Sequence, residues 1–159
     1  MNIIVGVSDM KTSNDPDSTL VTYSLGSCIG IAIYDPVAKV GGLLHYMLPE
    51  ASLDEAKAKK NPFMFADSGI PVLFKTAYQL GATKQRMRVI VVGGAQILDQ
   101  KGFFNIGKRN HMAVRKIFWK NKVMTDYEEV GGNVNRTIRL HIATGEVLLK
   151  VSGQEEKKI

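Results

Sequence analysis

Between Ile3 and Leu48 the sequence sets down four short apolar runs with no helix-length segment between any two of them. They are Ile3–Val7, Leu20–Leu25, Cys28–Tyr34 and Val40–Leu48. Each is too short for a stable helix and is bounded by turn chemistry, so each reads as a strand. Asn14-Asp15-Pro16-Asp17 separates the first two, and Asp35-Pro36-Val37-Ala38 separates the last two, with proline where a turn wants a fixed φ. Strands that follow one another this closely cannot be joined by the long crossovers of a parallel sheet. They must pair mainly antiparallel, which excludes regular βαβ alternation.

The middle of the chain changes period. Residues 50–61 are polar and Lys-rich and read as an exposed connection with a helical turn at most. Asn61-Pro62 then carries the signature of a helix start. Phe63, Ile70, Leu73, Phe74, Ala77 and Leu80 recur at helical spacing until Gly81. Pro71 lies inside this segment, and a kink or break is expected near Ser68-Gly69-Ile70. Arg88–Val92 reads as a core strand ending in Gly93-Gly94-Ala95. Asn105 is placed to cap a second helix over Ile106–Lys120, with Met112, Val114, Ile117 and Phe118 as its apolar stripe. Met124–Val130 is a further strand, and Thr137–His141 with Val147–Val151 forms a last hairpin around Ala143-Thr144-Gly145-Glu146. The result is about seven strands and two main helices: an α+β fold, mainly antiparallel sheet with helices packed on it. It forms a single domain over residues 1–153, followed by a charged tail, 154–159, expected to fray.

Composition narrows the function. With 159 residues and 45% hydrophobic content the chain can bury a core without staples. One cysteine, Cys28, allows neither an internal disulfide nor a several-cysteine zinc site. No apolar run reaches the length of a transmembrane helix, and Met1–Val5 lacks the basic start of a signal peptide. A cytoplasmic protein with no membrane insertion is expected. The net charge is +6, yet residues 84–124 alone hold ten Lys/Arg against one acid, Asp99. No nucleic-acid motif accompanies that charge. A solvated helix face, or a basic surface that speeds encounter with an acidic protein, fits better. Phe103-Phe104, with Lys108 and Arg109 close by, are candidate partner-binding residues there.

One pair of residues suggests chemistry. A cysteine nucleophile needs a base and a group that orients the base. Cys28 follows the small, bendable Leu25-Gly26-Ser27, and His45 lies in the next strand. If the hairpin closes tightly with Asp35 opposite Ala38, Cys28 and His45 fall directly opposite each other, with Cβ atoms about 5 Å apart. An imidazole there could take the thiol proton and leave an ion pair. Thr22, on the preceding strand, could hold the other ring nitrogen, and amides of the Gly26–Ser27–Cys28 bend could stabilise an oxyanion. The same residues also fit a small buried hydrophobe beside a satisfied core histidine. His111 reads as a surface residue and His141 as structural; neither has metal-ligand spacing. Gly93-Gly94-Ala95 lacks the lysine and hydroxyl residue of a phosphate loop and reads as a turn near the site.

Leu25-Gly26-Ser27-Cys28 and His45-Tyr46-Met47-Leu48-Pro49 resemble landmarks of the CheD family of bacterial chemotaxis, the chemoreceptor glutamine deamidases. The resemblance continues, in order, through Val92-Gly93-Gly94-Ala95, Asn105-Ile106-Gly107-Lys108-Arg109-Asn110, Gly131-Gly132 with Arg136, and Thr144-Gly145-Glu146-Val147. It covers about Val5 to Lys150. It implies a layered α/β/β sandwich similar to the catalytic domain of the cytotoxic necrotizing factor toxins. It implies a cysteine hydrolase with Cys28 as nucleophile, His45 as general base and Thr22 orienting His45, needing no metal or cofactor. It implies chemoreceptors as substrates and a CheC-type phosphatase of CheY as a regulatory partner. One position departs: the residue before Arg136, usually Gly in the family, is Asn135. Asn tolerates a left-handed backbone better than most residues.

Overall fold

A computed structural model describes residues 1–96 and 105–159. Phe103 and Phe104 lie outside the described residues. The elements, in order, are β1 (Asn2–Ile4), β2 (Asp9–Ser13), β3 (Thr19–Leu25), β4 (Ile29–Asp35), β5 (Val40–Tyr46), α1 (Glu55–Lys60), α2 (Ala66–Gln79), β6 (Arg88–Gly93), α3 (Ile106–Lys120), β7 (Tyr127–Val130), β8 (Arg136–His141), β9 (Val147–Val151) and β10 (Lys157–Lys158). One sheet has the order β1-β3-β8-β9-β10 and the other β2-β5-β4-β6-β7. All pairings are antiparallel except β1 with β3 and β6 with β7. The expected α+β class is what forms.

The layering follows from strand alternation. In β4, Ile29, Ile31 and Ile33 point one way and pack with α2 and α3 through Ile70, Leu73, Phe74, Val114 and Phe118. Ala32 and Tyr34 point the other way and pack with Leu20, Ile138, Leu140 and Leu149 of the opposite sheet. Every residue of β4 and β5 is buried. These strands are therefore the middle layer of an α/β/β stack, which explains why Cys28–Tyr34 reads as a nearly unbroken apolar run. Tyr34 Oη–H donates to the Ile142 carbonyl at 2.7 Å and ties the two sheets together.

Several elements differ from expectation. The strand expected over Ile3–Val7 is shorter and starts earlier, at Asn2–Ile4, where β1 joins the outer sheet; a further strand not expected from the sequence, β2, follows at Asp9–Ser13 and pairs with β5 in the middle sheet. Asn61-Pro62 opens only a short 3-10 turn, with Asn61 Oδ1 accepting from Phe63 N; α2 starts four residues later, at Ala66. Pro71 does not break α2, because it lies on the exposed outer face within the first two turns. α3 has the expected limits, but Asn105 sits in a left-handed conformation with no side-chain cap bond. Met112 is 57% exposed and leaves the apolar stripe to Val114, Ile117 and Phe118. Asn135 is not among the described residues with positive φ, so the missing glycine is not needed. The tail does not fray: β10 pairs with Leu148 and Leu149, and Ile159 N donates to Val147 O.

The β4–β5 hairpin is wider than expected. Asp35 pairs with Val40, leaving a four-residue loop. Asp35 is fully buried and builds that loop: its Oδ1 accepts from Val37 N at 2.9 Å and Ala38 N at 3.1 Å. Its Oδ2 accepts from Thr83 N at 2.9 Å and pairs with the Arg86 guanidinium at 2.8 Å. Burial alone would raise its pKa; Arg86 and these backbone donors overcome that and hold the carboxyl well below the usual range. A carboxyl depressed on folding contributes stability that is present above about pH 4 and is lost as pH falls towards the folded value. Asp35→Ala is expected to cost about 3 kcal/mol in urea denaturation at pH 7, with a smaller difference from wild type at pH 3.

Candidate active site

The chain crosses from one sheet to the other between β3 and β4, and Cys28 sits on that crossing. The β3–β8 register slips between Thr22 and Leu25, and Ser24 takes φ 57°, so the strand bends out of its sheet. The residues of the bend, Gly26, Ser27 and Cys28, are half-buried. Their carbonyls are all taken. Gly26 O accepts from Ala95 N and Cys28 O from Gly94 N, each at 2.8 Å, and Ser27 O accepts from Asn110 Nδ2 at 2.9 Å. Gly93 has φ +115°, and a Cβ there would stand 2.2 Å from the Cys28 carbonyl oxygen. Gly93-Gly94-Ala95 is thus the turn beside the site that the sequence suggests. Gly107 brings α3 in close, since a Cβ on it would meet the Ala95 carbonyl at 2.3 Å.

His45 does not lie directly opposite Cys28. The wider hairpin moves the register by two residues, so Gly30 faces His45 and the ladder ends at Ile29–Tyr46. A shift of two preserves the face of the sheet. Cys28 and His45 therefore remain on the same side, between the sheets, as diagonal rather than direct neighbours, and Cys28 packs at the edge of the intersheet core. Diagonal positions are about 7–8 Å apart along the backbone, within reach of a long side chain. Glycine at position 30 makes room for Leu25, whose Cδ1 would stand 2.8 Å from a Cβ there.

Thr22 holds His45 across the two sheets. Its Oγ1 lies 2.7 Å from His45 Nδ1 and 2.7 Å from the Val5 carbonyl. A carbonyl only accepts, so the hydroxyl proton goes to Val5 O and the oxygen accepts from Nδ1–H. The network therefore assigns the tautomer with a bare Nε2. Nε2 is buried and has no hydrogen-bond partner among the described residues. Burial lowers the His45 pKa to about 4, against the pull of the Asp9 carboxylate. Asp9 is the cross-strand partner of His45 and is anchored by Lys11 Nζ at 2.8 Å. It escapes the sequence reading because β2 has no apolar alternation to betray it. Burial likewise pushes the Cys28 thiol up to about 11, its own backbone N–H acting the other way. Both shifts favour the uncharged forms near pH 7, thiol for Cys28 and imidazole for His45.

The remaining candidates separate clearly. Lys108 and Arg109 are exposed on the first turn of α3, next to Gly107 and so beside the Gly94–Ala95 rim. His111 pairs with Glu128 at 2.7 Å, and His141 Nδ1 meets Thr19 Oγ1 at 2.9 Å, both structural. Among the described residues no cluster of His, Cys, Asp and Glu could hold a metal. No helix among them is long and apolar enough to cross a membrane.

Residues 47–151 match the family model described as CheD chemotactic sensory transduction. The chain belongs to the CheD family. It is 59% identical over 152 residues to the "Probable chemoreceptor glutamine deamidase CheD 1" of Syntrophus aciditrophicus, covering 96% of this chain and 95% of that one. It is 46% identical over 157 residues to a "Probable chemoreceptor glutamine deamidase CheD" of Solibacter usitatus, covering 99% and 93%. A crystal structure of a Neisseria meningitidis protein aligns with TM-score 0.44 at 10% identity, over 82% of this chain and 63% of that one, too slight a likeness to bear on the fold. In this CheD-family chain the glycine at 93 is a steric requirement. Gly93→Ala is expected to lower stability by at least about 2 kcal/mol in thermal or urea melts, because the new Cβ collides with the Cys28 carbonyl.

Proposed function

We propose that this chain is a protein-glutamine deamidase that converts chemoreceptor glutamines to glutamates by thiol catalysis. The observation that carries the reading is the Thr22–His45 hydrogen bond, which leaves Nε2 bare on the face that Cys28 shares. The names of the family relatives supply the substrate class. As the Cys28 sulfur attacks the glutamine side-chain carbon, its proton passes to His45 Nε2. The new S–C bond pushes the carbonyl electrons onto oxygen, and amides of the Gly26–Cys28 bend would receive that charge. The imidazolium returns its proton to the departing nitrogen, and ammonia leaves a thioester. Water, deprotonated by His45, then attacks the thioester; the sulfur leaves and is reprotonated, and the product is glutamate. No cofactor enters this cycle. The same intermediate would release an alkoxide, so glutamyl methyl esters are also within its chemistry. Cytoplasmic residence fits a mechanism that depends on one reduced thiol.

Because both partners rest neutral, proton transfer accompanies attack rather than preceding it. The working form needs unprotonated His45, whose pKa is lowered to about 4. Activity is therefore expected to persist as pH falls from 7 to 5 and to be lost only on approaching 4, well below an ordinary histidine. An acid limb near 6.5 would contradict this. The direct test incubates the protein with the cytoplasmic fragment of a chemoreceptor and reads Gln→Glu conversion by mass spectrometry. Cys28→Ala should abolish conversion, and Thr22→Val should lower kcat about 100-fold by freeing the imidazole. Full activity in Cys28→Ala would end the proposal.

A second role is favoured by the exposed basic residues of α3, Lys108 and Arg109 on its first turn and Arg115, Lys116 and Lys120 near a Trp119 that is 82% exposed. This surface suits an acidic protein partner, and a CheC-type phosphatase is the one proposed. Lys108→Glu with Arg109→Glu should weaken that association at low salt and flatten its dependence on salt. Phe104→Ala tests the aromatic pair that precedes α3 in the sequence, Phe103 and Phe104. Binding should survive Cys28→Ala, which separates this role from catalysis.

A further inference from the structure

The β4–β5 ladder ends at Ile29–Tyr46, one residue short of Cys28. Just beyond that end, two main-chain carbonyls, Ser27 O and Met47 O, point towards α3. Both are met by one side-chain group. Asn110 Nδ2 donates to Ser27 O at 2.9 Å and to Met47 O at 2.7 Å. Asn110 is fully buried. Carbonyls only accept, so the two bonds fix which end of the amide faces them. The helix backbone at this residue is held in turn, because Tyr46 Oη–H donates to Asn110 O at 2.5 Å. Asn110 Oδ1 is buried with no hydrogen-bond partner among the described residues. A buried amide that leaves one acceptor unmet is a costly choice for mere packing.

We infer that Asn110 is a positioning residue: it ties the bend that carries Cys28 to the strand end that follows His45, and so fixes the distance between the reacting groups. The inference rests on the reading of Cys28 and His45 as the reacting pair. In the extended ladder, residues 28 and 47 would form the next cross-strand pair. There the strands part, and a single side-chain amide replaces the ladder. The bend is thereby free to present its thiol while its spacing from β5 stays set. The Ser27 and Met47 bonds also make α3 a structural part of the site, through the helix that bears Lys108 and Arg109.

The test compares Asn110→Ala with Val114→Ala, a core truncation one turn further along α3 that touches neither carbonyl. Two quantities are read in each: kcat and KM on receptor fragment, and the pH midpoint for alkylation of Cys28 by iodoacetamide. Asn110→Ala should lower kcat by about tenfold to 100-fold, with KM within about twofold. It should also move the alkylation midpoint down towards that of an ordinary thiol, as the loosened bend admits water. Such a variant would be more reactive to a small electrophile and less active on substrate. Val114→Ala should lose stability with neither change. If Asn110→Ala does not fold, Asn110→Ser, whose hydroxyl can serve one carbonyl, is read in the same way with a smaller loss expected. An Asn110 variant that matches Val114→Ala in kcat and in alkylation midpoint overturns the inference. The alkylation profile needs no receptor, so it stands apart from the fate of the deamidase reading, which Cys28→Ala decides.

Discussion

The site depends on one hydrogen bond between two sheets, Thr22 to His45. Thr22 belongs to the outer sheet and His45 to the middle one. Every polar group buried between two sheets must find its partner there or cost free energy. Here the partner chain is Val5 carbonyl, Thr22 hydroxyl and imidazole, and it ends at a ring nitrogen with a free lone pair. Packing of the sheets therefore decides the protonation geometry. The apolar core between the sheets, which includes Leu20, Leu25, Leu43 and Val92, buries the ring and lowers its basicity.

That dryness determines the style of chemistry. A solvated cysteine–histidine pair gains from early ionisation, since water supports both charges. Between these sheets each charged form is penalised, and the pair rests neutral. In the proposed mechanism, reactivity then waits until a substrate carbonyl supplies a place for negative charge. A thiol held in this way is protected from casual oxidation, which attacks the thiolate.

Much of this was legible in the sequence, because the middle layer writes its burial directly into residue type. The Ile-Gly-Ile-Ala-Ile-Tyr run and the close-set strands gave the α+β class, and Cys28, His45 and Thr22 fell on the right faces. The hairpin register was not legible. It turns on Asp35 accepting from two backbone amides and on Lys39 adopting φ 55°, neither of which a turn motif announces. The error was two residues, so parity survived while direct opposition did not. β2, and Asp9 with it, went unseen because an edge strand of Asp-Met-Lys-Thr-Ser carries no apolar signature. Asn110 could be read only as part of a motif, since its two carbonyl partners lie 83 and 63 residues away in the chain.

The Val5 carbonyl has a role out of proportion to its position. It takes the only proton that Thr22 has to give. Val5 is fastened by its own N–H to Val21 O, just after the three-residue β1 at the rim of its sheet. Should that rim peel away, Thr22 would regain a spare proton and could offer it to Nδ1. The ring would then be free to carry its hydrogen on Nε2, turning a donor to the thiol's side where the proposed reaction needs an acceptor. A peripheral strand that touches neither reacting atom thus acts as custodian of the imidazole's tautomer.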